Sequence, residues 1–195
     1  MTMERQNIRK LMRSRRNELS ENEQLEAAKK IKVNIFQHLK NADIRRLGIY
    51  LSNDSEIDTS LIIEELWHHN IAVYLPILHP FCSGYLLFQR YEKNSPMTIN
   101  RYGILEPKLN CSQVCPVEDL DVLCTPLVAF DLQGNRLGMG GGFYDRTLAK
   151  YYREKRSKPE IIGLAHNCQQ VDLLPIESWD VPLKTIVTPK KCYLW

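Results

Sequence analysis

Residues 47–77 leave a folding chain few choices. An apolar run of buried-strand type, LGIYL at 47–51, is followed by turn chemistry at 52–55. Apolar residues then recur at helical spacing over 59–69, and a second apolar run, IAVYL, occupies 71–75. Strand, loop, helix, strand is a βαβ unit. Its two strands must lie parallel, because a helix is long enough to return the chain to the same edge of the sheet. The spacing therefore predicts an α/β fold with a mostly parallel central sheet flanked by helices.

The rest of the 195 residues is read around that unit. Residues 4–18 hold no Gly or Pro and predict a helix. Ser20 with Glu23 three residues on is a capping-box signal. Leu25, Ala28, Ile31, Ile35 and Leu39 then carry a second helix to about residue 40. Strands are predicted at 85–91, 121–125, 127–130, 161–165 and 185–188, with a break at Pro126. Residues 92–116, with Pro96, Pro107 and Pro116, read as irregular. No linker or repeat divides the chain, so residues 1–195 are expected to form a single domain.

Five of the nine glycines fall between Gly134 and Gly142, in FDLQGNRLGMGGGFYDR at 130–146. A strand enters this segment and a helix is expected over 143–153. Glycines let backbone N–H groups approach a ligand closely. The helix start behind them adds unpaired N–H groups and partial positive charge. That combination suits an anion, above all phosphate. The pattern is not a Walker A loop, because no Lys-Ser or Lys-Thr follows. It is not the dinucleotide fingerprint either, because Phe143 stands where its last Gly would be. On spacing alone, Asp145 serves equally as a first-turn acid favoured by the helix dipole or as a Mg2+ ligand beside phosphates.

Composition narrows the class. A net charge of +3 gives no bulk case for nucleic-acid binding. No window approaches the length of a membrane span, and no signal-type segment opens the chain. Six cysteines without a Cys-x-x-Cys pair read as reduced thiols, so a cytoplasmic protein is expected.

The pattern FDxxGxRLGxGGGFYDR at 130–146 resembles the signature of the 5-formyltetrahydrofolate cyclo-ligase family. YLSNDSEI at 50–57 resembles that family's folate-site segment, and GILEP at 103–107 a segment before the signature. The resemblance implies a fold like that of ribose-phosphate isomerases and CoA transferases. It implies ATP-dependent closure of 5-formyltetrahydrofolate to 5,10-methenyltetrahydrofolate through a phosphorylated formyl group, with Mg2+ as cofactor. It assigns ATP contacts to Arg5, Arg9, Arg136, Leu137, Gly138, Met139, Gly140, Gly141, Gly142, Phe143 and Tyr144. Folate contacts fall to Leu51, Glu56, Gly140, Gly141 and Tyr144, catalytic roles to Arg136 and Tyr144, and the metal to Asp145. The partners implied are the two small-molecule substrates acting on a monomer, with no nucleic acid and no membrane. The chain departs from many relatives at Met139 and Gly141, where they carry a basic residue. It departs again at Lys184, where they carry a second Asp; Asp180 is the nearest acid.

Two other readings stay open at this stage. A sugar-phosphate enzyme on the same scaffold would use the glycine loop without ATP. A nucleic-acid binder would use the basic stripe Arg5, Arg9, Arg13 and Arg16, and would leave the glycine loop unexplained.

Overall fold

The computed structural model describes residues 3–154, 156–177 and 180–195. The helices are α1 (Met3–Asn17), α2 (Glu21–Leu39), α3 (Ser60–His68) and α4 (Phe143–Arg153). The strands are β1 (Arg46–Gly48), β2 (Ala72–Leu78), β3 (Leu86–Tyr91), β4 (Met97–Ile99), β5 (Leu105–Pro107), β6 (Val114–Cys115), β7 (Val122–Pro126), β8 (Ala129–Phe130), β9 (Arg136–Leu137), β10 (Glu160–Leu164), β11 (Thr185–Val187) and β12 (Cys192–Leu194).

Eight strands form one sheet in the order β12-β11-β10-β7-β1-β2-β3-β6. The five central strands, β11 to β2, pair in parallel, and β12, β3 and β6 run antiparallel at the two edges. The chain leaves β1 for β2 on one side and β7 for β10 on the other. The boundary between β1 and β7 is thus a topological switch point. Loops leaving two neighbouring carboxyl ends diverge there and open a crevice, the usual ligand position in such sheets. The loop after β1 carries Leu51 and Glu56; the segment after β7 leads to the glycines.

Alternation along the strands assigns the two faces. Val122 and Cys124 of β7 pack with α2 and α3 through Ile31, Ile35, Ile62 and Leu66. Leu123 points the other way, toward Phe88, Phe130, Ile161 and Leu148 of α4. Because both faces are covered, the strands read as nearly continuous apolar runs. A smaller cluster seats α1 through Met12 on Val128, Ala129, Leu137 and Leu174. That contact fixes the helix beside the glycine segment.

The predicted helices and parallel strands are present, with the capping box at Ser20 and Glu23 formed in full. Three expectations are corrected. Residues 92–116 are not irregular throughout: they contain the β4–β5 hairpin and the edge strand β6. Pro126 does not break β7 but ends it, paired with Leu164, at a strand terminus where a missing N–H is tolerated. The 47–51 strand stops at Gly48 in regular pairing, although Ile49 N–H still reaches Tyr74 O at 2.9 Å. Among the described residues, no helix is long and apolar enough to cross a membrane.

Candidate active site

The glycine segment is built on a buried acid. Asp131 is fully buried, and its Oδ1 accepts from Gln133 N at 3.0 Å and Asn135 N at 3.1 Å. Its Oδ2 accepts from Asn135 Nδ2 at 2.9 Å and Leu174 N at 3.1 Å. These bonds close the β8–β9 turn and offset the cost of burying the charge. After β9 the chain passes Gly138 to Gly142 and enters α4. Gly142 is the N-cap of α4 at φ 66°, a left-handed conformation that strains any residue with a Cβ. It brings no side-chain cap, so the first N–H groups of α4 are left for a ligand.

Two cavities meet along this segment. The first, of about 690 Å3, is lined by Arg5 and Arg9 of α1, Arg136, Gly138, Gly140, Gly142, Asp145, Arg146, Tyr152, Glu177 and Asp180. The second, of about 460 Å3, has apolar walls from Leu51, Leu75, Leu78, Leu86, Ile104 and Leu105, with Tyr102, Phe143 and Tyr144 among its aromatics. Arg136, Gly138, Gly142 and Asp145 line both. The glycine loop is therefore a shared wall, open to a charged chamber on one side and to a mostly apolar one on the other.

Charge in the first chamber is tightly held. Arg5 forms a two-point pair with Asp180, Nη1 to Oδ2 at 2.5 Å and Nη2 to Oδ1 at 3.1 Å. Burial works against ionising Asp180, but hydrogen bonds from Arg5 and from Glu177 N outweigh it and hold the carboxyl below its ordinary value. Arg9 Nε donates to Gly138 O at 2.8 Å, anchoring α1 to the loop. Burial, then the neighbouring Arg5, lower the pKa of Arg9. Arg136 is buried at the seam; its Nη2 donates to Asp145 Oδ1 at 2.7 Å and its Nη1 to the Tyr152 hydroxyl at 3.3 Å. Desolvation opposes its charge, yet Tyr152 and Asp145 outweigh that and raise its pKa.

The second chamber ends in polar atoms without partners. Tyr50 O–H, Glu56 Oε1 and Tyr144 O–H are all buried, with no hydrogen-bond partner among the described residues. Glu56 Oε2 accepts only from Asn53 N, at 3.1 Å. Desolvation pushes the Glu56 carboxyl up to about 7 and raises both tyrosines. A buried orphan acceptor costs about 1–3 kcal/mol, which a ligand bearing N–H donors would recover. The loop that carries Glu56 is itself held from α1. Arg13 Nε lies 2.8 Å and Arg16 Nη2 3.0 Å from Asp54 Oδ2, across two successive residues, Asp54 and Ser55, at positive φ.

The sequence-predicted residues thus divide. Arg5, Arg9 and Gly140 line the charged chamber, and Leu51, Glu56, Met139, Gly141, Phe143 and Tyr144 line the apolar one. Leu137 lines neither; it is core beneath α1. Lys184 also lines neither, whereas Asp180 is in the charged chamber. His166 is buried away from both, its pKa lowered to about 4 by desolvation and by Arg16. Sequence reasoning missed Tyr50, Asn100, Tyr102, Glu106, Arg146, Tyr152 and Glu177. For Glu106 the signal was its place in the GILEP segment; for Tyr152 it was helical spacing, two turns after Asp145.

Asp145 is half-exposed at the seam and offers one carboxylate to the charged chamber. No group of three or more His, Cys, Asp or Glu among the described residues forms a metal cage. A lone carboxylate beside a phosphate cradle fits Mg2+, which is held through one or two carboxylates with phosphate oxygens and water completing the shell.

Fold and site together define a two-substrate α/β enzyme that sets a phosphate-type chamber against a mostly apolar one. Residues 1–189 match the model of the 5-formyltetrahydrofolate cyclo-ligase family, and the chain belongs to that family. It is 48% identical over 186 residues to the 5-formyltetrahydrofolate cyclo-ligase of Haemophilus influenzae, covering 95% of this chain and 98% of the relative. It is 45% identical over 185 residues to the enzyme of that name from Escherichia coli K12, covering 95% and 100%. The solved structure of Aquifex aeolicus 5,10-methenyltetrahydrofolate synthetase superimposes with a TM-score of 0.82 at 28% identity, over 98% of this chain and 93% of that one.

Proposed function

We propose that this chain uses ATP to cyclise 5-formyltetrahydrofolate to 5,10-methenyltetrahydrofolate, releasing ADP and phosphate. The observation that carries the reading is the shared wall: a chamber rich in arginine and a slot fit for a flat ring system touch across one glycine loop. A nucleotide in the first places its terminal phosphate at the loop. A pterin in the second presents its N5-formyl oxygen to the same loop. Phosphoryl transfer between groups so placed is mainly positioning and electrostatics, and needs no protein nucleophile.

In this reading the backbone N–H groups after Gly142, with Arg5 and Arg9, hold the phosphates. Arg136, rigid between Asp145 and Tyr152, faces the charge that develops as the formyl oxygen takes the phosphoryl group. N10 then attacks the activated formyl carbon, the carbon–oxygen bond to phosphate breaks, and N10 loses its proton. The orphan Glu56 Oε1 accepts from the N–H edge of the pterin, and Leu51 and Phe143 pack its faces. Tyr144 O–H, buried at the end of the slot, donates toward the reacting formyl group. Asp145 holds Mg2+, which when bound offsets phosphate charge.

The test follows methenyltetrahydrofolate by its absorbance, with 5-formyltetrahydrofolate, Mg2+ and ATP, a control without ATP, and an Asp145→Asn variant. Product that needs ATP and falls by about 10–100-fold in the variant supports both the reaction and the metal position. Wild-type protein that binds the folate yet forms no product sinks the assignment.

A further inference from the structure

Arg146 is an arginine of the charged chamber that is held by backbone carbonyls and, among the described residues, by no carboxylate. It sits in the first turns of α4, yet its side chain folds back over the helix start. Nε donates to Gly84 O at 3.0 Å, and Nη2 donates to Gly141 O. Its guanidinium carbon lies 5.7 Å from the Phe143 ring centre. A cation at a helix N-terminus opposes the dipole, where acids are favoured. A carboxylate partner would offset that, as Asp180 does for Arg5 and Asp145 for Arg136, but no described carboxylate lies within ion-pair distance of Arg146. The chamber as a whole has four arginines against three acids, Asp145, Glu177 and Asp180. Of the two carbonyls that Arg146 meets, that of Gly84 belongs to the turn before β3 and that of Gly141 to the loop wall, and Gly141 lines the apolar slot on the far side. The guanidinium therefore stands where the two chambers join.

The geometry points to Arg146 as a ligand of the terminal phosphate of the nucleotide, resting on carbonyl oxygens until that phosphate arrives. This deepens the proposed function and rests on it, because it takes the charged chamber as the ATP site. Chamber position selects the phosphate: the phosphoryl group to be transferred must stand at the wall, whereas the inner phosphates lie back toward Arg5 and Arg9. A planar guanidinium can exchange two carbonyl acceptors for phosphate oxygens without leaving the site, and bonds to the charged acceptor are the stronger ones. The same residue supplies side-chain charge beside a glycine run that holds none of its own at Met139 or Gly141.

The test compares calorimetric binding of ATP and ADP, both with Mg2+ and without folate, to wild type, Arg146→Gln and Arg146→Lys. Gln keeps a donor near the position of Nε, within reach of the Gly84 carbonyl, but removes the charge and the Nη donors. Arg146→Gln is expected to lose ATP affinity by about 10–100-fold while ADP affinity stays within about twofold, and Lys recovers part of the loss. Equal loss for both nucleotides would mean that Arg146 only scaffolds the loop, and unchanged ATP affinity would mean that it meets no phosphate; either result overturns the inference. Thermal denaturation and folate binding check that the variants are folded. Wild-type protein that binds neither nucleotide would overturn the chamber assignment, and the inference with it, before any variant is compared.

Discussion

At the scale of single residues, Glu56 carries the largest consequence. Its carboxyl titrates at about 7 in the folded chain because burial disfavours the charged form. In the unfolded chain it titrates near 4.5, so between these values the native state binds the extra proton. The stability this group contributes is full below the lower value and is lost as pH rises through about 7. The loss amounts to at most about 3 kcal/mol. Denaturant unfolding at pH 5 and pH 8 should show wild type weakening with pH and Glu56→Gln keeping a flatter profile. Kinetically the sign reverses, since only the ionised group can accept both donors of a pterin edge. KM for the folate should fall as pH rises from 6 to 8 in wild type and stay flat, and higher, in Glu56→Gln. Glu56 was legible from its segment and its acid character. Its elevated pKa was not, because that comes first from burial, which only the fold imposes on the loop.

At the scale of elements, α1 does two jobs along one stripe. Arg5 and Arg9 reach the charged chamber, while Arg13 and Arg16 grip Asp54 in the loop that carries Glu56. Arg16 is wholly buried, and its Nε and Nη1 have no partner among the described residues, so Asp54 supplies much of its compensation. Asp54→Asn should lower stability by about 3 kcal/mol and raise KM for the folate with little change in KM for ATP. Ser20→Ala, which opens the capping box of α2, should cost about 1 kcal/mol and leave both constants alone. Thermal melts beside steady-state kinetics separate the two effects. The stripe itself was visible in the sequence as a charged helical face, but spacing cannot distinguish a solvated face from one turned toward two sites. The β4–β5 hairpin and β6 escaped notice for a related reason: strands of two or three residues have no periodicity to detect and exist through their partners.

At the scale of the whole molecule, the sheet order decides what the loops can do. The βαβ unit and the glycine segment were each readable locally, and together they implied a parallel sheet with a ligand at its carboxyl ends. Their adjacency was not readable. It follows from β1 pairing with both β2 and β7, two strands far apart in the chain. If the proposed function holds, the shared wall lets the phosphoryl group pass directly from one bound substrate to the other. Initial rates at varied ATP and folate should therefore give intersecting lines, and ATP alone should release no ADP. Parallel lines, or ADP formed without folate, would mean that a protein group carries the phosphoryl group in between.

The pair between Arg5 and Asp180 spans 175 positions, nearly the whole length of the chain. Synthesis runs from the amino to the carboxyl end, so Arg5 is made 175 residues before Asp180. Until that acid arrives, α1 can already seat through Met12 and grip Asp54, but Arg5 lacks its two-point partner and the charged chamber lacks one side. If the charged chamber is the ATP site, a chain stalled before Asp180 offers a nucleotide only part of that chamber's wall.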